Sequence, residues 1–190
     1  MLCIGVPDEE TEAETTPTPA PKTNLSKAKL TVKAQVYTGK ALKPAVKVVL
    51  KDKTLRKGTD YTVSYKNNKA IGTATVTVKG MGNYTGTAKK TFKINPKAVS
   101  GLKLTAGKGR LTASWKKSAG GVGGYQLQYA LKKNFSGAKK VNVFKASTLK
   151  CTLKKLKSGK IYYVRIRAFK KISKTTYWSA WSGAKRARVK

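Results

Sequence analysis

The stretch Leu156-Lys157-Ser158-Gly159-Lys160-Ile161-Tyr162-Tyr163-Val164-Arg165-Ile166-Arg167-Ala168 carries the clearest structural signal in the chain. From Tyr162 onward the residues alternate. Tyr162, Val164, Ile166 and Ala168 share one face, and Tyr163, Arg165 and Arg167 share the other. Successive side chains of a strand point to opposite faces, so this pattern predicts a strand with one side on a core. No window of helical length shows a 3.6-residue period.

Working outward, the same period recurs. Arg110–Trp115 places Leu111, Ala113 and Trp115 together, Tyr125–Tyr129 alternates cleanly, and Leu149, Cys151 and Leu153 share a face. Leu102–Leu104 and Val141–Val143 are shorter strands, and a final strand is expected near Ala184 to Val189. Upstream, Leu30–Lys33, Tyr61–Tyr65, Thr73–Lys79 and Thr91–Ile94 read the same way. Lys66-Asn67-Asn68-Lys69 is a hairpin turn, since Asn tolerates positive φ, and Asn95-Pro96 breaks the set. Many short strands with frequent turns predict an all-β chain of two tandem immunoglobulin-like β-sandwiches, at residues 25–96 and 97–190, after an N-terminal linker.

These residues resemble known families. Trp115, Tyr125, Tyr129 and Leu156-x-Ser158-Gly159-x-x-Tyr162-x-Val164-Arg165-Ile166-x-Ala168 are similar to a fibronectin type III domain. Ser158 stands where that family usually has Pro. The resemblance implies that Trp115 is the central core aromatic and that the Tyr162 hydroxyl ties its strand to the preceding turn. Tyr37-Thr38-Gly39-Lys40, Gly58-Thr59-Asp60-Tyr61 and Gly80–Gly86 resemble a bacterial immunoglobulin-like repeat. Such a pair implies a secreted or wall-associated protein of Gram-positive bacteria, in which it serves as a spacer or binding module.

Composition excludes several chemistries. The 190 residues hold 42 Lys+Arg, 7 Asp+Glu and no His, a formal net charge of +35. Without His, the commonest general base and metal ligand is absent. Two Cys cannot build a four-thiolate zinc site, and seven acids leave little scope for a calcium cage or a carboxylate pair. No cofactor and no metal is expected, and no catalytic constellation is found. Cys151, flanked at spacing two by Leu149 and Leu153, reads as a small core residue, with no His to activate it and only Cys3 as a disulfide partner. Asp60 reads as a turn-capping acid, and Asn83 of the sequon Asn83-Tyr84-Thr85 as a turn residue.

The charge is divided. Five acids lie in the first fourteen residues, ahead of the first basic residue, Lys22. Residues 22–190 therefore carry 42 basic groups against Asp52 and Asp60, a net +40. Residues 1–24, rich in Thr, Pro and Glu, read as a disordered acidic linker. Met1–Val6 is an apolar stub with two open readings, an ordinary N-terminus or the tail of a signal peptide, and it is too short to span a membrane.

Trp178-Ser179-Ala180-Trp181-Ser182 resembles the W-S-x-W-S pattern of cytokine receptors. Arg165 and Arg167 lie two apart on a strand, so Trp178, Trp181, Arg165 and Arg167 are expected to form a cation–π ladder that stiffens a sheet. Lys outnumbers Arg 36 to 6 and recurs on nearly every strand, which serves solubility and guards sheet edges. The same charge would attract polyanions. The expected function is non-catalytic spacing, adhesion or binding by a monomer without membrane insertion. The expected partners are anionic polysaccharide or teichoic acid, with non-specific nucleic-acid binding as the alternative. Tyr163 and Phe169 are candidate exposed aromatics for stacking.

Overall fold

In a computed structural model, residues 20–190 are described. The acidic run, the apolar stub and Cys3 lie outside them. The first half contains β1 (Thr23–Asn24), β2 (Lys29–Val32), β3 (Gln35–Val36), β4 (Val46–Leu50), β5 (Lys53–Thr54), β6 (Tyr61–Lys66), β7 (Gly72–Gly80), β8 (Tyr84–Thr85) and β9 (Thr87–Asn95). The second contains β10 (Lys103–Gly107), β11 (Arg110–Ser114), β12 (Gly124–Ala130), β13 (Lys139–Val143), β14 (Lys150–Leu153), β15 (Ile161–Ile172), β16 (Thr175–Trp178) and β17 (Lys185–Arg188).

Each half is a β-sandwich. In the first, a sheet ordered β2-β4-β5 faces one ordered β3-β9-β7-β6. In the second, β10-β11-β14 faces β13-β12-β15-β16, with β17 also paired to β15. Alternation dictates which residues meet between the sheets. Val48, Leu50, Tyr61 and Val78 close one core of the first half, and Ala74, Val76, Phe92 and Ile94 a second. Leu111, Ala113, Trp115, Tyr125, Leu127 and Ile166 are central to the C-terminal core. The Trp115 and Tyr125 rings meet edge to face at 5.2 Å. Buried tyrosine hydroxyls are satisfied by backbone. Tyr61 Oη donates to Val46 O at 3.2 Å, Tyr65 Oη donates to Pro44 O at 2.6 Å, and Tyr125 Oη accepts from Ser118 N at 3.0 Å.

Three features depart from the sequence reading. First, ordered structure begins before residue 25. Thr23–Asn24 pairs with Tyr84–Thr85, and Asn24 Oδ1 caps a short 3-10 turn by accepting from Ser26 N at 2.8 Å. Buried Leu25 anchors that turn. Second, β4 lacked a period-2 signal because Val48-Val49-Leu50 is continuously apolar; Val48 and Leu50 are buried, and Val49 on the other face is half-buried. Third, the last strand is split. β16 and β17 both pair with β15, and the Trp178–Ser182 pattern runs from the last residue of β16 into the segment between them.

The halves meet through side chains. Ile71, in the turn between β6 and β7, is only 2% exposed and belongs to the C-terminal core. Tyr37 packs against that core and against the second core of the first half. Thr73 Oγ1 and Tyr177 Oη are hydrogen-bonded at 2.5 Å. Gly120 sits beneath this contact at φ +87°, where a Cβ would lie 2.7 Å from Ile71 Cδ1 and 2.8 Å from the Tyr37 ring. Only Gly meets both demands.

All three tryptophans, Trp115, Trp178 and Trp181, lie in the second half, so their fluorescence reports its unfolding alone. Ile71→Ala, a substitution in the first half, is expected to lower the tryptophan-detected unfolding free energy by about 2–4 kcal/mol. A tryptophan transition unchanged from wild type would show that the joint does not support the second sandwich.

Candidate functional site

The outer face of the five-stranded sheet is built by register. On β15, Arg165 and Arg167 face out, opposite Gln128 and Gln126 of β12. Arg167 donates from Nε and Nη2 to Gln126 Oε1 at 3.0 and 2.7 Å, and Arg165 Nε donates to Gln128 Oε1 at 2.7 Å. Gln126 Nε2 in turn donates to Asn142 Oδ1 of β13 at 2.9 Å. The two glutamines are nearly buried, so the arginines satisfy acceptors that water cannot reach freely.

Aromatic rings close over the guanidinium planes. Arg167 Cζ lies 3.8 Å from the Trp178 ring centre and 4.4 Å from that of Trp181. Arg165 Cζ lies 4.7 Å from Trp181 and 4.0 Å from Phe135. The order of the column is thus Trp178, Arg167, Trp181, Arg165, Phe135. Phe169 continues it beyond Trp178 at 5.2 Å, and Phe144 beyond Phe169 at 6.1 Å. Phe169 is therefore buried, not an exposed stacking platform; the outward position that suggested exposure is roofed by its two aromatic neighbours. Tyr163 is half-buried on the same face. Burial, and then the charge of Arg165, pull the Arg167 guanidinium below its usual pKa, although an arginine stays a cation in proteins.

The serines explain the split strand. Ser179 N donates to Ala168 O at 2.9 Å and Ser182 N to Ile166 O at 2.8 Å. Reciprocally, Ala168 N donates to Ser179 Oγ at 2.9 Å and Ile166 N to Ser182 Oγ at 3.1 Å. Each hydroxyl takes the place of a carbonyl, so β15 keeps its ladder satisfied while Trp178 and Trp181 turn outward. The column covers both faces of both guanidiniums with the protein's own rings. That arrangement stiffens a sheet; it leaves no guanidinium face open to a ligand.

The remaining singled-out residues fall elsewhere. Trp115 is 5% exposed, and its Nε1–H is a buried donor without a partner among the described residues. Tyr162 Oη accepts from Lys157 N at 3.2 Å, tying β15 to the turn before it. Cys151 is half-buried against the C-terminal core, and burial pushes its thiol pKa up, which disfavours the thiolate. Asp60 Oδ2 accepts from Arg56 N at 2.7 Å, a turn-closing contact. Among the described residues, no three potential metal ligands come together, and no helix is long and apolar enough to cross a membrane.

Sequence reasoning missed Phe135, Gln126, Gln128, Asn142 and Phe144. The glutamines carried a usable signal, since two polar residues alternate with Tyr125, Leu127 and Tyr129 on a strand with apolar partners. Phe135 carried none. It lies in a loop at φ +59°, an unusual conformation for a bulky residue, and reaches Arg165 only through tertiary structure.

Charge dominates the rest of the surface. Residues 97–190 hold 25 Lys+Arg and no Asp or Glu. Every lysine in the chain is exposed except Lys170, which is half-buried.

Arg167→Ala is expected to cost about 2 kcal/mol of unfolding free energy, from two lost ring contacts and an orphaned Gln126 acceptor. Arg167→Lys keeps the charge but not the planar fork, and should recover less than half of that loss. Urea unfolding of both variants checks this. A lysine variant as stable as wild type would mean that charge alone, not the stacked plane, holds the column.

In solved structures, the chicken CNTN1 FN1-FN3 domains align with a TM-score of 0.46 and 14% identity, over 89% of this chain and 68% of that one. The fn3 domain of the human collagen alpha-1(XX) chain aligns at 0.41 and 24% identity, over 50% of this chain and 84% of that one. A structure titled as a myokine aligns at 0.42 and 19% identity, over 50% of this chain and 98% of that one. No curated protein matches the chain. Residues 97–184 match the family described as "Fibronectin type III domain".

Proposed function

We propose that the chain is a non-catalytic extracellular spacer and binding module that engages anionic cell-wall or extracellular polymers through its lysine surface. One observation carries this reading. The second sandwich has 25 basic residues and no acid, and its lysines stand in solvent with no side-chain carboxylate of that half to pair with. Such a surface raises the local concentration of any polyanion and speeds its association. Fibronectin type III domains are generally binding or spacer modules, commonly extracellular, which agrees with secretion or surface attachment. Resemblance of residues 27–95 to a bacterial immunoglobulin-like repeat supports a wall-associated setting, where teichoic acid and anionic polysaccharide supply the charge.

Retention on immobilised teichoic acid and on heparin, followed across a salt titration, tests the reading. Affinity should fall by about 10³-fold or more between roughly 50 and 200 mM NaCl, as expected when many basic contacts release counterions. Double-stranded DNA added at equal charge should compete no better than the polysaccharide. No retention at low salt would refute polyanion engagement and leave a spacer. Preferential loss to DNA would turn the reading toward nucleic acid.

A further inference from the structure

We infer that one end of the second sandwich holds a defined subsite for an anionic sugar, a hexose unit bearing sulfate or phosphate, in a cleft floored by Tyr129 and rimmed by lysines. The inference rests on the polyanion reading above and narrows it to a place and a ligand class.

The cleft has a volume of about 510 Å³ and opens beside β12, β13 and the turn after β14. That is a size suited to a small ligand. Lys132, Lys139, Lys154, Lys155 and Lys157 line it, with no acidic side chain among the lining residues. Three separate segments supply these lysines, so their convergence is tertiary and not a run in the sequence. Lys139 is the telling one. It pairs with Tyr129 in the β12–β13 ladder and shares a face with Val141 and Val143, which pack on the core. A lysine in line with core residues at the end of an edge strand guards that edge. Here it also brings its ammonium to the mouth between the sheets. Lys155 holds φ +56°, a left-handed backbone that costs a non-glycine residue energy and turns Lys154–Lys157 around the opening.

The floor is aromatic. Tyr129 and Tyr162 both line the cleft, with ring centres 6.4 Å apart. Tyr162 Oη is engaged by Lys157 N. Tyr129 Oη has no hydrogen bond among the described residues, so of the two cleft tyrosines it is the one with a free hydroxyl. A half-buried ring with a free hydroxyl suits the C–H face and hydroxyls of a pyranose. The ammonium groups suit its anion, since each is a hydrated point charge with three donors. Nucleobases fit less well. Their amino groups need acceptors, and the lining side chains offer only the hydroxyls of Ser136, Tyr129 and Tyr162, with no Asn, Gln, Asp or Glu.

The test uses the full chain and two charge-matched triple variants. One is Lys139→Ser/Lys154→Ser/Lys155→Gly in the cleft, where glycine relieves the left-handed backbone. The other is Lys89→Ser/Lys90→Ser/Lys93→Ser on exposed positions of β9. Binding of a heparin-derived hexasaccharide is measured by calorimetry, with amide shift mapping at Ser136, Gly137 and Lys157. The cleft variant should lose about tenfold or more in affinity, the β9 variant about twofold, with unfolding midpoints of both no lower than that of wild type. Tyr129→Val should weaken binding most, and Tyr129→Phe, which keeps the ring and loses the free hydroxyl, should weaken it to a smaller extent. Equal loss in both triple variants would overturn the subsite while leaving diffuse polyanion binding intact. No hexasaccharide binding by wild type, with shifts absent, would overturn both. An oligothymidylate of equal charge that moves the same amides with equal affinity would overturn the sugar assignment.

Discussion

Uncompensated positive charge is the constraint on which the rest of the molecule depends. A sandwich with 25 basic residues and no acid cannot stabilise itself through ion pairs. Every ammonium must therefore reach water, and the strands meet this mainly by alternation, lysine outward and Val, Leu, Ile or Tyr inward; Lys139, in line with core residues, reaches water from the strand end. Cohesion falls to apolar burial and to neutral hydrogen bonds. The tyrosine hydroxyls that bond to backbone at Val46, Pro44, Ser118 and Lys157 are the polar ties of such a structure. Repulsion between the lysines acts against the compact state.

The two partly buried arginines show how the fold handles cations that it does draw inward. Arg165 and Arg167 stand on neighbouring outward positions of one strand, close enough for mutual repulsion. Ring faces and glutamine carbonyls take the role that carboxylates would play elsewhere. Guanidinium suits this because it is planar and weakly hydrated, whereas ammonium is neither. The sequence uses Arg at these positions and Lys at most of the fully exposed ones.

Most of the fold was legible in the residues. Tyr162–Ala168 and Arg110–Trp115 alternate, and alternation survives because each strand has one wet face. β4 was hidden because Val48-Val49-Leu50 has no such contrast. β16 was hidden because its polar Thr175-Thr176 carries little apolar pattern, and its identity as a strand comes from pairing with Phe169–Ile172. The four members of the Trp/Arg ladder could be named from the resemblance of Trp178–Ser182 to the W-S-x-W-S pattern together with the two-residue spacing of Arg165 and Arg167. Phe135 could not, because it joins through loop conformation; Gln126 and Gln128 showed as polar residues alternating on an apolar strand, but their arginine partners are set by strand register. Ile71 illustrates the same limit. It reads as a turn residue beside Asn67 and Asn68, and its burial in the neighbouring sandwich is a property of how the halves meet. The run Gly120–Gly124 read only as a loop, yet Gly120 is where Ile71 and Tyr37 both press against the backbone and leave no room for a Cβ. The lysine cleft is likewise assembled from three segments that share no motif.

The central claim is that this surface carries unpaired charge held against its own repulsion, available to an anionic partner. Thermal unfolding of the intact chain, followed by tryptophan fluorescence at neutral pH in NaCl from about 10 to about 300 mM, tests it directly, because salt over that range shortens the screening length from roughly 30 Å to under 10 Å. The account predicts a midpoint that rises by several degrees and then levels off as screening removes the repulsion. A midpoint that stays flat or falls would contradict it.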